Sequence, residues 1–247
     1  MRRSRRVQRN LRRYIRKYNA TEPKTAGAIR SALAVALAAI FALAVPVFSV
    51  VFAANVVFRM PDLYNFDVGR TVVADEIELN IKTDAIGDLI SDYMFHKTDY
   101  FQVRAEYQGR EKPVFSINDG MNMSRYRKLL DRSFIVLCAS AVSGVAIFVL
   151  LRKTGRKRGL RNGYRAGIAL CALAYLGMGE FVRNEGLRST LLRVLLNVRP
   201  QNTDVLPLLF GEGYRLGAFI AIVVISGVIV IVGFSVVRLF TKVNKMF

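Results

Sequence analysis

The chain alternates between long stretches without a single charge and stretches dense in charge. Ser31 to Phe58 runs for 28 residues with no charged side chain, Ser133 to Leu151 for 19 and Leu216 to Val237 for 22. A helix rises about 1.5 Å per residue, so about 20 apolar residues cross a hydrocarbon core about 30 Å thick. Each run therefore spans a membrane or nearly does. A fourth, Ala166 to Gly179, has only 14 residues. It spans if Arg165 snorkels to the interface and the helix continues past Glu180 through Phe181 and Val182. The pattern thus predicts spans over 31–58, 133–151, 166–182 and 216–237. Pro46 falls mid-way along the first, where a helix in lipid tolerates proline if neighbours satisfy the carbonyl it frees.

Between the first two spans the pattern changes. Within Val72 to Lys82, Glu76-Ile77-Glu78-Leu79-Asn80-Ile81-Lys82 alternates strictly, as a half-exposed strand does. Ile86, Leu89, Ile90, Tyr93 and Met94 then follow helical spacing behind Thr83, a capping residue type. Tyr100 to Tyr107 alternates again, Gln108 to Glu111 reads as a turn and Lys112 to Ile117 as the returning strand. Ser124 to Arg132 reads as a short helix feeding the second span. The expected fold class is an α-helical integral membrane protein with four transmembrane helices and a small extracytoplasmic α+β domain, residues 59–132, between spans one and two. In the later segment 183–215, Leu191 to Val198 is apolar around an inserted Arg193, and Asn197 to Asp204 is polar and turn-rich. Leu206 to Phe210 returns the chain to the membrane. This segment is too apolar to be merely solvated, and it is expected in the headgroup zone or beneath the 59–132 domain.

Charge sets the orientation. The net charge of +19 would suggest nucleic acid in a soluble protein. Here residues 1–30, 152–165 and 238–247 together carry +20, whereas 59–132 and 180–215 carry −1. The excess alternates with each crossing, as the positive-inside rule requires of four spans. Both termini and the 152–165 loop are accordingly expected in the cytoplasm, in a multi-pass protein of the plasma membrane. The basic residues serve orientation and contact with anionic lipid rather than nucleic acid. Val7, Leu11, Tyr14, Ile15 and Tyr18 would share one face of a cationic helix on the inner leaflet. The apolar run that follows is about twice the length of a signal-peptide core, so it is read as an uncleaved anchor. The short 152–165 connection forces spans two and three into a hairpin, in which Gly163 and Gly167 have the spacing that lets helix backbones approach.

Little in the sequence points to chemistry. Cys138 and Cys171 both fall inside spans and are read as small hydrophobes. No metal-ligand spacing, phosphate loop or nucleophile elbow is present, and no cofactor is expected. His96, in Met94-Phe95-His96-Lys97, is the one imidazole. It stands at an expected helix end, where a cation is favourable.

One resemblance can be stated. Four spans with a globular segment after the first resemble the lipoprotein intramolecular transacylases of bacteria. In that family Phe-Ser-x-x-Glu-Leu-x-His-Met-x-Asp-Val-Lys precedes span two. Here the same place reads Phe115-Ser116-Ile117-Asn118-Asp119-Gly120-Met121-Asn122-Met123-Ser124-Arg125-Tyr126-Arg127. Phe115, Ser116 and Met123 agree, while Asp119 and Arg127 keep the charge of the family's Glu and Lys. Asn80 and Leu89 to Tyr93 sit where the family has a similar Asn and helix, and Pro200, Asp204, Pro207 and Phe210 resemble its second outer loop. The resemblance implies a shared fold and candidate site positions Asp119, Asn122 and Arg125. It also implies a reaction, transfer of an acyl chain from the glycerol of a lipoprotein's N-terminal lipid to the terminal amine. That reaction needs a base titrating near ambient pH. Here the family's His is Asn122, its Asp is Arg125, and residues 180–215 hold no histidine. The expectation is a protein of this fold that binds membrane lipid or a lipid-modified partner at the outer face without turning it over. The alternatives are an active acyltransferase using another base, His96, or a structural or regulatory subunit of a membrane complex.

Overall fold

The computed structural model describes residues 24–60, 62, 64, 83–107, 110–198 and 205–241. The cationic helix expected within 1–19 and the strand expected over 72–82 lie outside them. The elements in order are α1 (Lys24–Val57), α2 (Thr83–Met94), β1 (Arg104–Tyr107), β2 (Arg110–Pro113), α3 (Ile117–Lys153), α4 (Lys157–Arg183), α5 (Glu185–Leu196), α6 (Leu206–Leu209) and α7 (Glu212–Thr241).

Among the described residues four helices are long and apolar enough to cross a membrane: α3, α4, α7 and the Ser31–Val57 part of α1. The protein is a multi-pass membrane protein. The least apolar span is α4, with mean hydropathy 1.3 against 2.7 to 3.0 for the others. It runs unbroken through Glu180 to Arg183, as a short apolar run must if it is to reach both interfaces. Helix α1 stands at the centre, packing on α3, α4 and α7. Its closest approach is to α4 at the two glycines. A Cβ at Gly163 would stand 2.7 Å from the Ala38 carbonyl oxygen, and one at Gly167 2.8 Å from Val45 Cβ and 3.0 Å from the Ala42 oxygen. Only hydrogen fits there, so the glycine spacing is what seats α4 on α1. Pro46 leaves α1 continuous. In the next turn the Ser49 hydroxyl donates back to the Val45 oxygen at 2.9 Å.

Outside the charge-free runs, α2 buries Ile86, Ile90, Tyr93 and Met94, four of the five positions that its spacing assigned to one face. The hairpin is shorter than the alternation suggested: Tyr100 to Val103 and Val114 to Ile117 are not strand. Beyond the strands the Gln102 side chain takes over the ladder, accepting from the Phe115 amide at 3.1 Å and donating to the Phe115 oxygen at 3.0 Å. Phe101 packs between Tyr93 (5.3 Å) and Phe115 (4.5 Å), joining α2, the hairpin and the start of α3 into one core.

Two further elements depart from expectation. The short helix read over Ser124 to Arg132 is the middle of α3, which begins at Ile117. Ser116 is its N-cap and Asp119 completes a capping box. The 183–215 segment contains a helix, α5, in which the Asn184 side chain caps the Leu187 amide at 3.0 Å. One residue separates it from the end of α4, so it lies at the membrane surface. Leu187, Val194 and Leu195 are exposed along it.

Candidate functional site

The first turn of α3 ties the segment between α1 and α3 to the segment between α4 and α7 through one carboxylate. Asp119 is fully buried. Its Oδ2 accepts from the Ser116 amide at 3.0 Å and from the Val205 amide at 3.1 Å, and its Oδ1 accepts from the Leu206 amide at 3.2 Å. Those last two donors belong to the entrance of α6, 86 and 87 residues further along the chain. Three backbone donors occupy the carboxylate, so Asp119 is a clamp.

One turn on, Asn122 is also buried, at 3% exposure. Its Oδ1 accepts from Arg125 Nη1 at 3.3 Å. The same Arg125 nitrogen donates to the carbonyl of Asn197. Asn197 ends α5 in the left-handed conformation, with φ of 52°. A guanidinium at that helix C-terminus meets the negative end of its dipole. Arg127, the counterpart of the family's Lys, lies over the Tyr93 ring at 4.1 Å and donates to the carbonyls of Tyr93 and Thr98. The wall beside the site is aromatic: Phe210 lies 5.8 Å from Tyr126 and 5.1 Å from Tyr214, and Tyr64 stacks on Tyr214 at 5.0 Å. Burial pushes the Tyr64 hydroxyl up to about 12, so it stays a donor, to the Phe58 carbonyl at 2.9 Å.

His96 lies elsewhere. It closes α2 in the left-handed conformation with φ of 59°. The Lys97 amide reaches the Asp92 carbonyl and the His96 amide that of Tyr93, which is the Schellman arrangement. Its ring Nε2 lies 3.0 Å from Asp131 Oδ2, and Asp131 also pairs with Arg59 at 3.3 Å. Arg59 and Asp131 flank the ends of the first two charge-free runs, so this cluster sits at the membrane boundary. Asp131 follows Asn122 by nine residues, about 13 Å along α3 and half a turn out of phase. The structure therefore gathers Asp119, Asn122 and Arg125 and leaves His96, half exposed, on the opposite face of the helix. Sequence reasoning missed Asp131, Asn197 and the Val205–Leu206 amides, because each is joined to the site only through the fold. The cap at Ser116 was readable, since a Ser three residues before an acid is a helix-start signal. Among the described residues no group of His, Cys, Asp and Glu is placed to hold a metal ion.

Helices packed around a central first span, with a buried polar cluster where the segment before α7 meets the start of α3, define a multi-pass membrane fold. The fold is that of the membrane-integral lipoprotein intramolecular transacylase Lit from Bacillus cereus. Its structure with one histidine changed to arginine matches with a TM-score of 0.67 at 16% identity, covering 89% of this chain and 96% of that one. The form with the same histidine changed to alanine gives 0.66 at 16% identity, over 89% and 98%. A third Lit structure gives 0.63 at 17% identity, over 88% and 100%. No protein-family model matches the sequence, and no curated protein matches it significantly.

Proposed function

We propose that this protein is a transacylase-like membrane protein without the family's base, which binds a lipid or a lipid-modified partner at its outer face and does not turn it over. One observation carries the reading. At the position of the family's histidine stands a buried amide, Asn122, held by a guanidinium, with the neighbouring carboxylate occupied by three amides. An amide neither takes a proton at neutral pH nor becomes a useful acid. Arg125 would repel an ammonium group and suits an anionic headgroup, with which a guanidinium pairs bidentately. A general base contributes about 10²–10⁴ in rate, so its loss leaves little turnover. The test uses purified protein and a diacylglyceryl lipopeptide: binding without any lyso-form product is expected, and release of N-acylated product would overturn the proposal.

In this reading 59–132 is a small α+β domain outside the cell, 183–215 lies beside it, and 1–30, 152–165 and 238–247 are cytoplasmic. The partition of charge supports that orientation. Gly109→Cys should label from outside intact cells and Gly155→Cys should not; labelling at 155 would reverse the assignment.

A second reading has one observation in its favour. His96 is oriented by Asp131 at 3.0 Å, as a general base is oriented by a carboxylate. An active acyltransferase would then lose its product when His96 is changed to Ala.

A further inference from the structure

We propose that a groove between α3 and α7 binds one acyl chain of an anionic phospholipid, drawn from the leaflet on the side of the 152–165 loop, with its phosphate on Arg152. Helices α3 and α7 both pack on α1 but hardly on each other. The space left between them is about 420 Å³, floored by Phe41 and Phe48 of α1 and walled by Gly144 of α3 and Val236 of α7. A Cβ at Gly144 would meet only Ala44 Cβ, at 3.8 Å, so the glycine keeps the wall open.

The polar groups along the groove are already committed. Ser49 donates to Val45 at 2.9 Å, Ser140 to Leu137 at 2.8 Å and Tyr164 to Val230 at 2.7 Å. With each of these hydroxyl protons given to a backbone carbonyl, an apolar chain fits such a lining better than a polar ligand. A helix is about 10 Å across with its side chains, too wide for this space.

One end of the groove is closed by aromatic and cationic groups. Phe148 of α3 and Phe240 of α7 meet edge-on at 5.7 Å, and Arg152 lies over Phe240 at 4.4 Å. From Ser140 to Phe148 the groove runs about 12 Å, and Arg152 stands one turn further. One leaflet is about 15 Å of hydrocarbon, so a chain lying in the groove brings its phosphate to Arg152. The segment 152–165 carries seven Lys or Arg and no acid, and Arg238 lies in the last turn of α7. No carboxylate in that segment competes for the guanidinium, and the local field selects an anionic headgroup.

The test is native mass spectrometry of the purified full-length protein after exchange into vesicles of equal phosphatidylglycerol and phosphatidylethanolamine. The expected result is one retained phospholipid per chain, with about a fivefold preference for phosphatidylglycerol. Arg152→Gln, a surface change that leaves the bundle alone, should reduce that preference severalfold. Gly144→Leu, which fills the groove, should reduce retention of both lipids. Equal retention of the two lipids by the unmodified protein would overturn the proposal. So would undiminished phosphatidylglycerol preference in Arg152→Gln, or a second protein chain in place of the lipid.

Discussion

Two polar clusters hang on α3 nine residues apart. The one at Asp119, Asn122 and Arg125 has its carboxylate and amide buried and joins the start of α3 to the segment before α7, but it contains no imidazole. The one at His96 and Asp131 has an imidazole beside a carboxylate, but it is half exposed and ties only α2 and Arg59 to α3. A general base must be a titrating group within hydrogen-bond reach of the proton it takes. In this chain burial and imidazole are on opposite faces of a helix. A carboxylate is thus a brace in one cluster and the partner of a surface pair in the other.

The largest effect should come from the buried brace. Asp119→Ala leaves three backbone amides without acceptors and unfastens α6 from α3. It should lower stability by about 3 kcal/mol, read as a drop in the thermal unfolding midpoint in detergent. A change no larger than that of a surface substitution would mean that the carboxylate is not the brace. Next comes Gly163→Ala, whose methyl would press on the Ala38 carbonyl from 2.7 Å. It should cost about 2 kcal/mol, whereas Gly144→Ala, with its Cβ in ordinary contact, should be near neutral. Arg125→Ala removes the cation from the α5 terminus and should cost about 1 kcal/mol, with faster amide exchange at Asn197 and Val198. The smallest effect belongs to the exposed cluster. Because His96 sits at φ of 59°, His96→Gly should be more stable than His96→Ala by about 1 kcal/mol, although both lose the pair with Asp131. Equal stability of the two would mean that the left-handed turn is not retained in solution.

Much of the membrane part was legible because lipid leaves few choices. A charge-free run of 22 to 28 residues is long enough to span; α7 covers 216–237, and α1 covers 31–58 but for Phe58. The face of α2 was legible for the same reason in miniature, since its apolar positions recur at helical spacing and are buried there. The start of α3 was not read, because its first 16 residues lie before the charge-free run and mix charge with apolar side chains. Only the Ser116–Asp119 cap marks it. The hairpin was placed but overextended, because alternation continues through Gln102, whose side chain replaces the backbone as the pairing group. Within the site, Asp119, Asn122 and Arg125 were reached through a resemblance. Their roles depend on amides and a carbonyl 72 to 87 residues away, which no local pattern reveals.

In the proposed function, a fold shared with Lit holds a buried amide, Asn122, in place of the family's base. Mass spectrometry of lipoprotein N-termini, in a bacterial host that lacks a lipoprotein transacylase and expresses this protein, tests it most directly. N-termini should be unchanged by expression of either the native chain or His96→Ala. N-acylated lyso-form lipoproteins that appear only with expression of the native chain would contradict it.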